Sequence, residues 1–185
     1  MSLEHAILGF LNYKPLSGYD LKKIFDTSVQ HFWAADQSQI YRTLARLTER
    51  GLAEMTVVEQ QDRPDRKVYA ITEAGQEALL QWLATPIRPH KPHNADLIQV
   101  FFAAQLPDEE ILAMFERAAD RVRAGLARYE QIPQQPEAYT EYTASPREFY
   151  CWMLTLEAGF RSAQAHLVWL EEVIERIRNH EIPEA

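Results

Sequence analysis

Nine apolar residues near the C-terminus, Phe149, Met153, Leu156, Phe160, Ala163, Leu167, Leu170, Ile174 and Ile177, follow one another at steps of four and three. That is the a/d pattern of a helix with one apolar seam, kept for about four heptads. Such a helix gains its stability from what covers the seam, not from propensity alone. A second stripe, Trp152, Gly159, His166 and Val173, recurs every seven residues beside the first, with Trp169 close to it. Gly159 and Ala163 would let helices approach closely. One face can pack on the preceding helix while the other meets a second copy of the chain; a purely intramolecular bundle also satisfies the pattern. Because twofold dimers are the commonest oligomers, we expect a homodimer interface of Phe149, Met153, Leu156, Phe160, Ala163, Leu167, Leu170 and Ile174.

The preceding helix is expected from Pro107, where "PDEE" supplies a proline in the first turn and acids for the helix dipole. Its apolar positions Ile111, Phe115, Ala118, Val122 and Leu126 keep helical period until "QIPQQPEAY" breaks it. Another helix is expected from Asn94 to Ala104. "IRPHKPH", Ile87 to His93, is a proline-rich hinge. His90 and His93 lack the cysteines or carboxylates of a metal set, so they read as solvated linker residues and no metal or cofactor is expected.

The first half has a different grammar. Leu3, Ile7, Phe10 and Leu11 predict a helix ending near Asn12 to Pro15. "LSGYDLKKIF" starts a second, with Ser17 as N-cap, Asp20 at N3 to complete a capping box, and Leu16 and Leu21 as a hydrophobic staple. Phe32 and Trp33 after it are expected as core aromatics. "QSQIYRTLARLTERGL" forms a third helix, started by Asp36 and Gln39 and stopped at Gly51. Ile40, Leu44 and Leu47 line its buried side. Arg42, Arg46 and Arg50, four residues apart, drift only about 40° per step and make one stripe. Then "LAEMTVVEQ" and "RKVYAITEAG" read as a hairpin around "QDRPD", and Thr72 caps a further helix, "EAGQEALLQWL".

Helix, helix, helix, hairpin, helix is the order of a winged helix-turn-helix, whose third helix enters a major groove while the hairpin reaches the backbone or minor groove. The fold class is therefore mainly α with a small β hairpin: residues 1–86 as a winged-helix DNA-binding domain, 87–93 as hinge, and 94–185 as an α-helical dimerisation domain. Gln37, Ser38 and Gln39 crowd the first turn of the third helix, where side chains reach base edges and free N–H groups favour phosphate. Arg42 and Arg46 suit either a guanine edge or a phosphate. Arg50 also suits the dipole at the helix C-terminus. Arg63, Arg66 and Lys67 read as phosphate clamps in the hairpin, although solvated turn cations explain them as well. A solvated arginine face without a ligand is the bland alternative for the stripe.

Charge agrees only locally. The net charge is −8, with 9 Lys+Arg against 11 Asp+Glu through Thr85 and 10 against 16 from Pro86 onward, so the halves carry −2 and −6. Contact with an anionic duplex must come from local arrangement, not a global field. The single cysteine, Cys151, excludes an internal disulfide and is expected as a small buried hydrophobe. No stretch approaches the roughly 20 apolar residues of a membrane helix, and a cytoplasmic protein is expected. No phosphate-binding glycine loop, nucleophile elbow or metal-ligand spacing points to an enzyme.

"LSGYDLKKIF", "QIYRTLARLTERGL" and "RKVYAITEAGQEALLQWL", in that order, resemble the PadR family of bacterial transcriptional regulators over most of Leu16 to Leu83. The resemblance implies a dimeric DNA-binding regulator, usually a repressor, with a helical C-terminal region for dimerisation. It matches Tyr41 to the tyrosine near the start of the family's recognition helix and Tyr69 to the hairpin tyrosine before "ITEAG". Both are equally readable as half-buried packing aromatics. Many members carry proline after that first tyrosine; Arg42 stands here, which restores an N–H and adds a charged donor, so a different operator is expected. Some relatives sense small aromatic molecules, and Trp152, Trp169 and Phe102, with Phe101 and Tyr150, supply aromatic surface for such an effector. Core and interface packing would use the same residues. A winged helix used only for protein–protein contact is the alternative function.

Overall fold

The structure is a computed structural model that describes residues 2–29, 32–59, 65–86, 94–132 and 145–181. The hinge at 87–93, with His90 and His93, and Arg63 of the hairpin turn lie outside the described residues. The chain divides into two compact units, one holding the first four helices and the sheet, the other the last three helices.

In the first unit, α1 (Ser2–Tyr13) leads into β1 (Leu16–Ser17) and α2 (Gly18–Ile24), which continues as a π turn over Phe25–Val29. The Ser17/Asp20 capping box is formed in both directions, and the staple residues Leu16 and Leu21 are buried. At the other end, the Thr27 and Ser28 hydroxyls donate to the Lys23 and Ile24 carbonyls at 2.9 and 2.7 Å, which accommodates the wider turn. Helix α3 (Gln37–Glu49) starts at its own capping box, Asp36 with Gln39, and ends at Gly51, whose φ of 68° few other residues adopt. The wing is β2 (Ala53–Val58) paired antiparallel to β3 (Arg66–Ile71), followed by α4 (Glu73–Leu83) with Thr72 as N-cap.

Ile40, Leu44 and Leu47 are each 0% exposed and share one core with Ile7, Leu8, Leu21 and Phe25. Removing each such side chain from water contributes about 1.5–3 kcal/mol. The mainly helical fold with its small sheet is as the sequence reads, with one addition. The sheet has three strands in the order β1-β3-β2, because Leu16 and Ser17 pair with Tyr69 and Val68. Two residues are too few to show a period of two, so this strand left no pattern to read.

Phe32 and Trp33 correct the expectation of core aromatics: they are 55% and 39% exposed. Their N–H groups bond the Val29 carbonyl, which turns the chain along the surface between α2 and α3. The core at this point is closed instead by Phe25 against Phe10, edge to face at 5.2 Å.

The second unit contains α5 (Ala95–Phe101), a 3-10 turn at Ala103–Gln105, α6 (Asp108–Glu130) and α7 (Pro146–Arg178). Helix α5 stops short of Ala104, and Pro107 stands at the N-cap of α6 with Asp108, Glu109 and Glu110 in the first turn. A Ser145/Glu148 capping box and Pro146 start α7. Glu116 pairs with Arg178, Arg123 with Glu171, and Tyr129 meets Phe160, so α6 and α7 run antiparallel. Their core is Ile111, Phe115 and Ala119 against Leu170, Ile174 and Ile177.

That core corrects part of the expected dimer seam. Leu170 and Ile174 are 2% and 5% exposed within one chain and cannot face a second one. An a/d seam states that a helix will pack, not which chain supplies the other side. Met153, Leu156, Phe160, Ala163 and Leu167 are half-buried, and Phe149 is buried. Cys151 corrects its own expectation, since it is exposed on α7.

Candidate nucleic-acid interface

Helix α3 presents two chemically distinct sides. Ile40, Thr43, Leu44 and Leu47 are covered, while Gln37, Ser38, Gln39, Tyr41, Arg42, Arg46 and Arg50 are exposed. The first turn is held by the Asp36 carboxylate, which accepts from the Gln39 N–H and the Ser38 hydroxyl, both at 2.7 Å. The Gln39 side-chain oxygen accepts in return from the Asp36 N–H at 3.2 Å. Those bonds commit Ser38 and Gln39 to the cap, so Gln37 is the side chain of this turn with no hydrogen bond among the described residues. The Ser38 hydroxyl first, then the Gln39 N–H, and further the charge of Arg42, hold the Asp36 carboxyl below its ordinary pKa. The cap is therefore anionic at neutral pH.

The three arginines are not equivalent. The Arg42 Nε donates to the Ser38 carbonyl at 3.3 Å, which leaves its terminal nitrogens outward. Arg46 donates to Thr43 Oγ1 at 3.3 Å and lies 3.7 Å from the Glu4 carboxylate. Arg50 bonds the other Glu4 oxygen at 3.1 Å. A shallow groove of about 610 Å³ runs along this side, lined by Leu3, Trp33, Gln39, Arg42, Ala45 and Arg46 among others. Trp33 is thus a residue of this face that sequence reasoning assigned to the core. Its place four residues before the first helical position of α3 was the signal available.

The two tyrosines separate. Tyr69 is buried, and burial, followed by the nearby Tyr41, raises its pKa above the ordinary value of 10.0. It packs. Tyr41 is exposed along one edge while its ring lies against Gly18, where a Cβ would sit 2.7 Å from Cζ. Glycine at 18 is what allows α2 and α3 to come this close. Tyr19, in the first turn of α2, is exposed and was not singled out from sequence.

In the wing, Lys67 is exposed opposite Val57. Arg66 is ion-paired with Asp20, the residue that also closes the α2 capping box. Burial pushes the Asp20 carboxyl up, but the Ser17 hydroxyl and N–H and the Arg66 guanidinium together outweigh it and hold the group below its ordinary 3.8. The structure thus leaves Gln37, Ser38, Gln39, Tyr41, Arg42 and Arg46 on the exposed surface of α3, with Gln39, Arg42 and Arg46 together along the groove, and gives Arg66 a carboxylate partner.

The aromatic residues expected around an effector are not gathered. Trp152 and Trp169 are seventeen positions apart on α7, about 25 Å along its axis, too far to line one small cavity within a chain. Trp169 packs edge-on to Phe115 at 5.7 Å and stacks on His166, as a core aromatic does. Phe102 is exposed against Phe101. A cavity of about 480 Å³ lies instead beside Tyr129, Met153, Leu156 and Phe160. Among the described residues no three His, Cys, Asp or Glu side chains form a metal set, and no helix is long and apolar enough to cross a membrane.

Comparison with known proteins meets this geometry. A family model described as the transcriptional regulator PadR-like family matches residues 7–81, and one described as virulence activator alpha C-term matches residues 94–178. The chain is 31% identical over 189 residues to a probable transcriptional regulator of Mycobacterium tuberculosis, covering 96% of this chain and 98% of that protein. It is 27% identical to the negative transcriptional regulator PadR of Bacillus subtilis, over 95% of this chain and 97% of the relative. The structure of that protein with operator DNA superposes with a TM-score of 0.82 at 26% identity, covering 96% and 99% of the two chains. Its complex with p-coumaric acid gives 0.71 at 26% identity over 95% of each chain. The Vibrio cholerae virulence activator AphA gives 0.73 at 27% identity, over 96% and 99%.

Proposed function

The chain belongs to the PadR-like family of DNA-binding transcriptional regulators, and from that premise we propose that it is a repressor that grips operator DNA as a homodimer through α3 and the wing. DNA reading is assigned to residues 1–86 and pairing to residues 94–185. The observation that carries the reading is the division of α3. Its apolar side is sealed at 0% exposure while Gln37, Arg42 and Arg46 face outward from a firmly capped first turn. A major groove about 12 Å wide takes one such helix. Arg42 supplies a base-edge or phosphate contact from the first turns; Lys67 and Arg63 supply backbone contacts; Arg46 and Arg66, each ion-paired to a carboxylate, stand beside them; Tyr41 and Trp33 border them. Two copies joined through Met153, Leu156, Phe160, Ala163 and Leu167 would set two recognition helices on half-sites about 34–36 Å apart.

Repression is the sign we infer, by likeness to the Bacillus subtilis negative regulator. A small aromatic acid is the inferred effector, because that relative is known with p-coumaric acid. The chain is assigned to the cytoplasm, where its operator is.

The test is a titration of duplexes selected from a random library, read by fluorescence anisotropy between 50 and 200 mM salt. Binding through phosphate contacts weakens steeply over that range, and Arg42→Ala with Arg46→Ala abolishes it while sedimentation still reports a dimer. Binding that ignores both salt and substitution would favour the protein–protein module instead.

A further inference from the structure

We propose that Glu4 sets DNA specificity as an internal competitor, an anion of α1 that occupies Arg46 and Arg50 and limits how many guanidiniums a duplex backbone can recruit. The inference rests on the reading of α3 as the recognition helix. Glu4 stands in the first turn of α1, and its side chain is only 13% exposed. Its two oxygens divide between the arginines, Oε2 to Arg50 at 3.1 Å and Oε1 to Arg46 at 3.7 Å. Both arginine side chains are themselves more than half exposed, at 59% and 57%. The pairs therefore sit at the border of the DNA face, where a phosphate oxygen would seek the same N–H groups.

Every duplex offers phosphates, and only the operator offers the right base edges. A carboxylate that holds two arginines reduces contacts common to all sequences and leaves those at Gln37 and Arg42 untouched. The wing has the same arrangement, with Asp20 on Arg66. Among the described residues, no carboxylate lies within ion-pair distance of Arg42 or Lys67. An acidic chain that reads DNA by local arrangement discriminates better when its backbone cations are few.

The experiment compares wild type, Glu4→Gln, and Glu4→Gln combined with Arg50→Gln on a selected operator and on an unrelated duplex of equal length. Releasing one arginine steepens the logarithmic salt slope by about 0.9 per protomer. Because the substitution falls in both protomers of the dimer, between 50 and 200 mM salt that is about a 12-fold larger loss of affinity for one arginine per protomer and about 150-fold for two. Glu4→Gln is expected to bind the unrelated duplex more tightly at 50 mM with this steeper slope, to gain less on the operator, and to narrow the ratio between them. Adding Arg50→Gln returns the slope toward wild type. Far-UV circular dichroism and the thermal midpoint establish that the variants are folded. An unchanged slope in Glu4→Gln, or an equal loss of affinity on both duplexes, overturns the assignment and makes Glu4 a packing residue. Wild type that binds no duplex in a salt-dependent way overturns the DNA reading itself, and is measured first.

Discussion

Gly75 is the position at which the wing unit should be most sensitive to a single methyl group. It is buried in the first turn of α4, where a Cβ would run into the Leu52 carbonyl oxygen and approach Ile71 Cγ1 to 2.8 Å. The Ile71 methylene can give way, but the carbonyl cannot. It accepts from the Thr72 N–H at 3.2 Å, and Thr72 Oγ1 donates to the neighbouring Gly51 carbonyl at 2.7 Å. Gly75→Ala therefore sets two effects against each other. Alanine is better in a helix by at most about 1 kcal/mol. Overpacking costs about 1–3 kcal/mol, and each hydrogen bond strained by the displaced carbonyl costs about 1 kcal/mol more. The clash wins, for a net loss of about 2 kcal/mol. At about 2–4 °C per kcal/mol for a chain of this length, the thermal midpoint falls by about 4–8 °C. Gly125→Ala is the matched control. It lies inside α6 with nothing within 4 Å of the added Cβ, so only the propensity effect remains, about 0.5–1 kcal/mol of gain. Calorimetry of the two variants should give midpoints on opposite sides of wild type. A Gly75→Ala midpoint at or above wild type would refute the claim that α4 is pinned against the end of α3.

Other outcomes follow from the same coordinates. Because the folded chain holds the Asp20 carboxyl below 3.8, its stabilisation is present above about pH 4 and is lost as pH falls through the lowered value; midpoints of wild type and Asp20→Asn should converge below pH 3.8, and parallel curves would contradict this. Leu170→Ala should cost about 2–5 kcal/mol as a core cavity, whereas Leu156→Ala, half-buried, should move the sedimentation-measured dimer constant more than monomer stability; the reverse order would mean the α6–α7 core is assigned to the wrong half of the seam. Gly18→Ala should drive the Tyr41 ring off α2 and lower operator affinity in the anisotropy assay while the chain stays folded; unchanged affinity would remove Tyr41 from the DNA face.

What could be read from sequence was whatever is decided within three or four residues. Ser17 with Asp20, Asp36 with Gln39, Thr72, and Gly51 each announce a helix boundary through a bond or a φ angle that the residue itself makes, and each is found there. What could not be read depends on who stands opposite. The heptad steps of α7 are the same whether α6 or a second chain fills the seam, so nothing in the pattern separates Leu170 and Ile174 from residues that face outward. Phe32 and Trp33 look like core residues by type, and only the turn at Val29 sends them to the surface.

Glu4 and Asp20 make the sharper case, because each has a local role that conceals a distant one. A carboxylate in a first helical turn is accounted for by the dipole or by a capping box, so the sequence offers no reason to look further. Yet Glu4 reaches an arginine forty-six positions away, and Asp20 does the same across an equal separation. Arginines at four-residue spacing form the same stripe whether phosphate or carboxylate faces them. Only the placement of α1 beside α3, and of α2 beside β3, separates the two, and that placement is set by the shared apolar core. The burial of Ile7, Leu21, Ile40 and Leu44 in one cluster thus decides which cations on the proposed DNA face are already held, although none of these residues carries a charge.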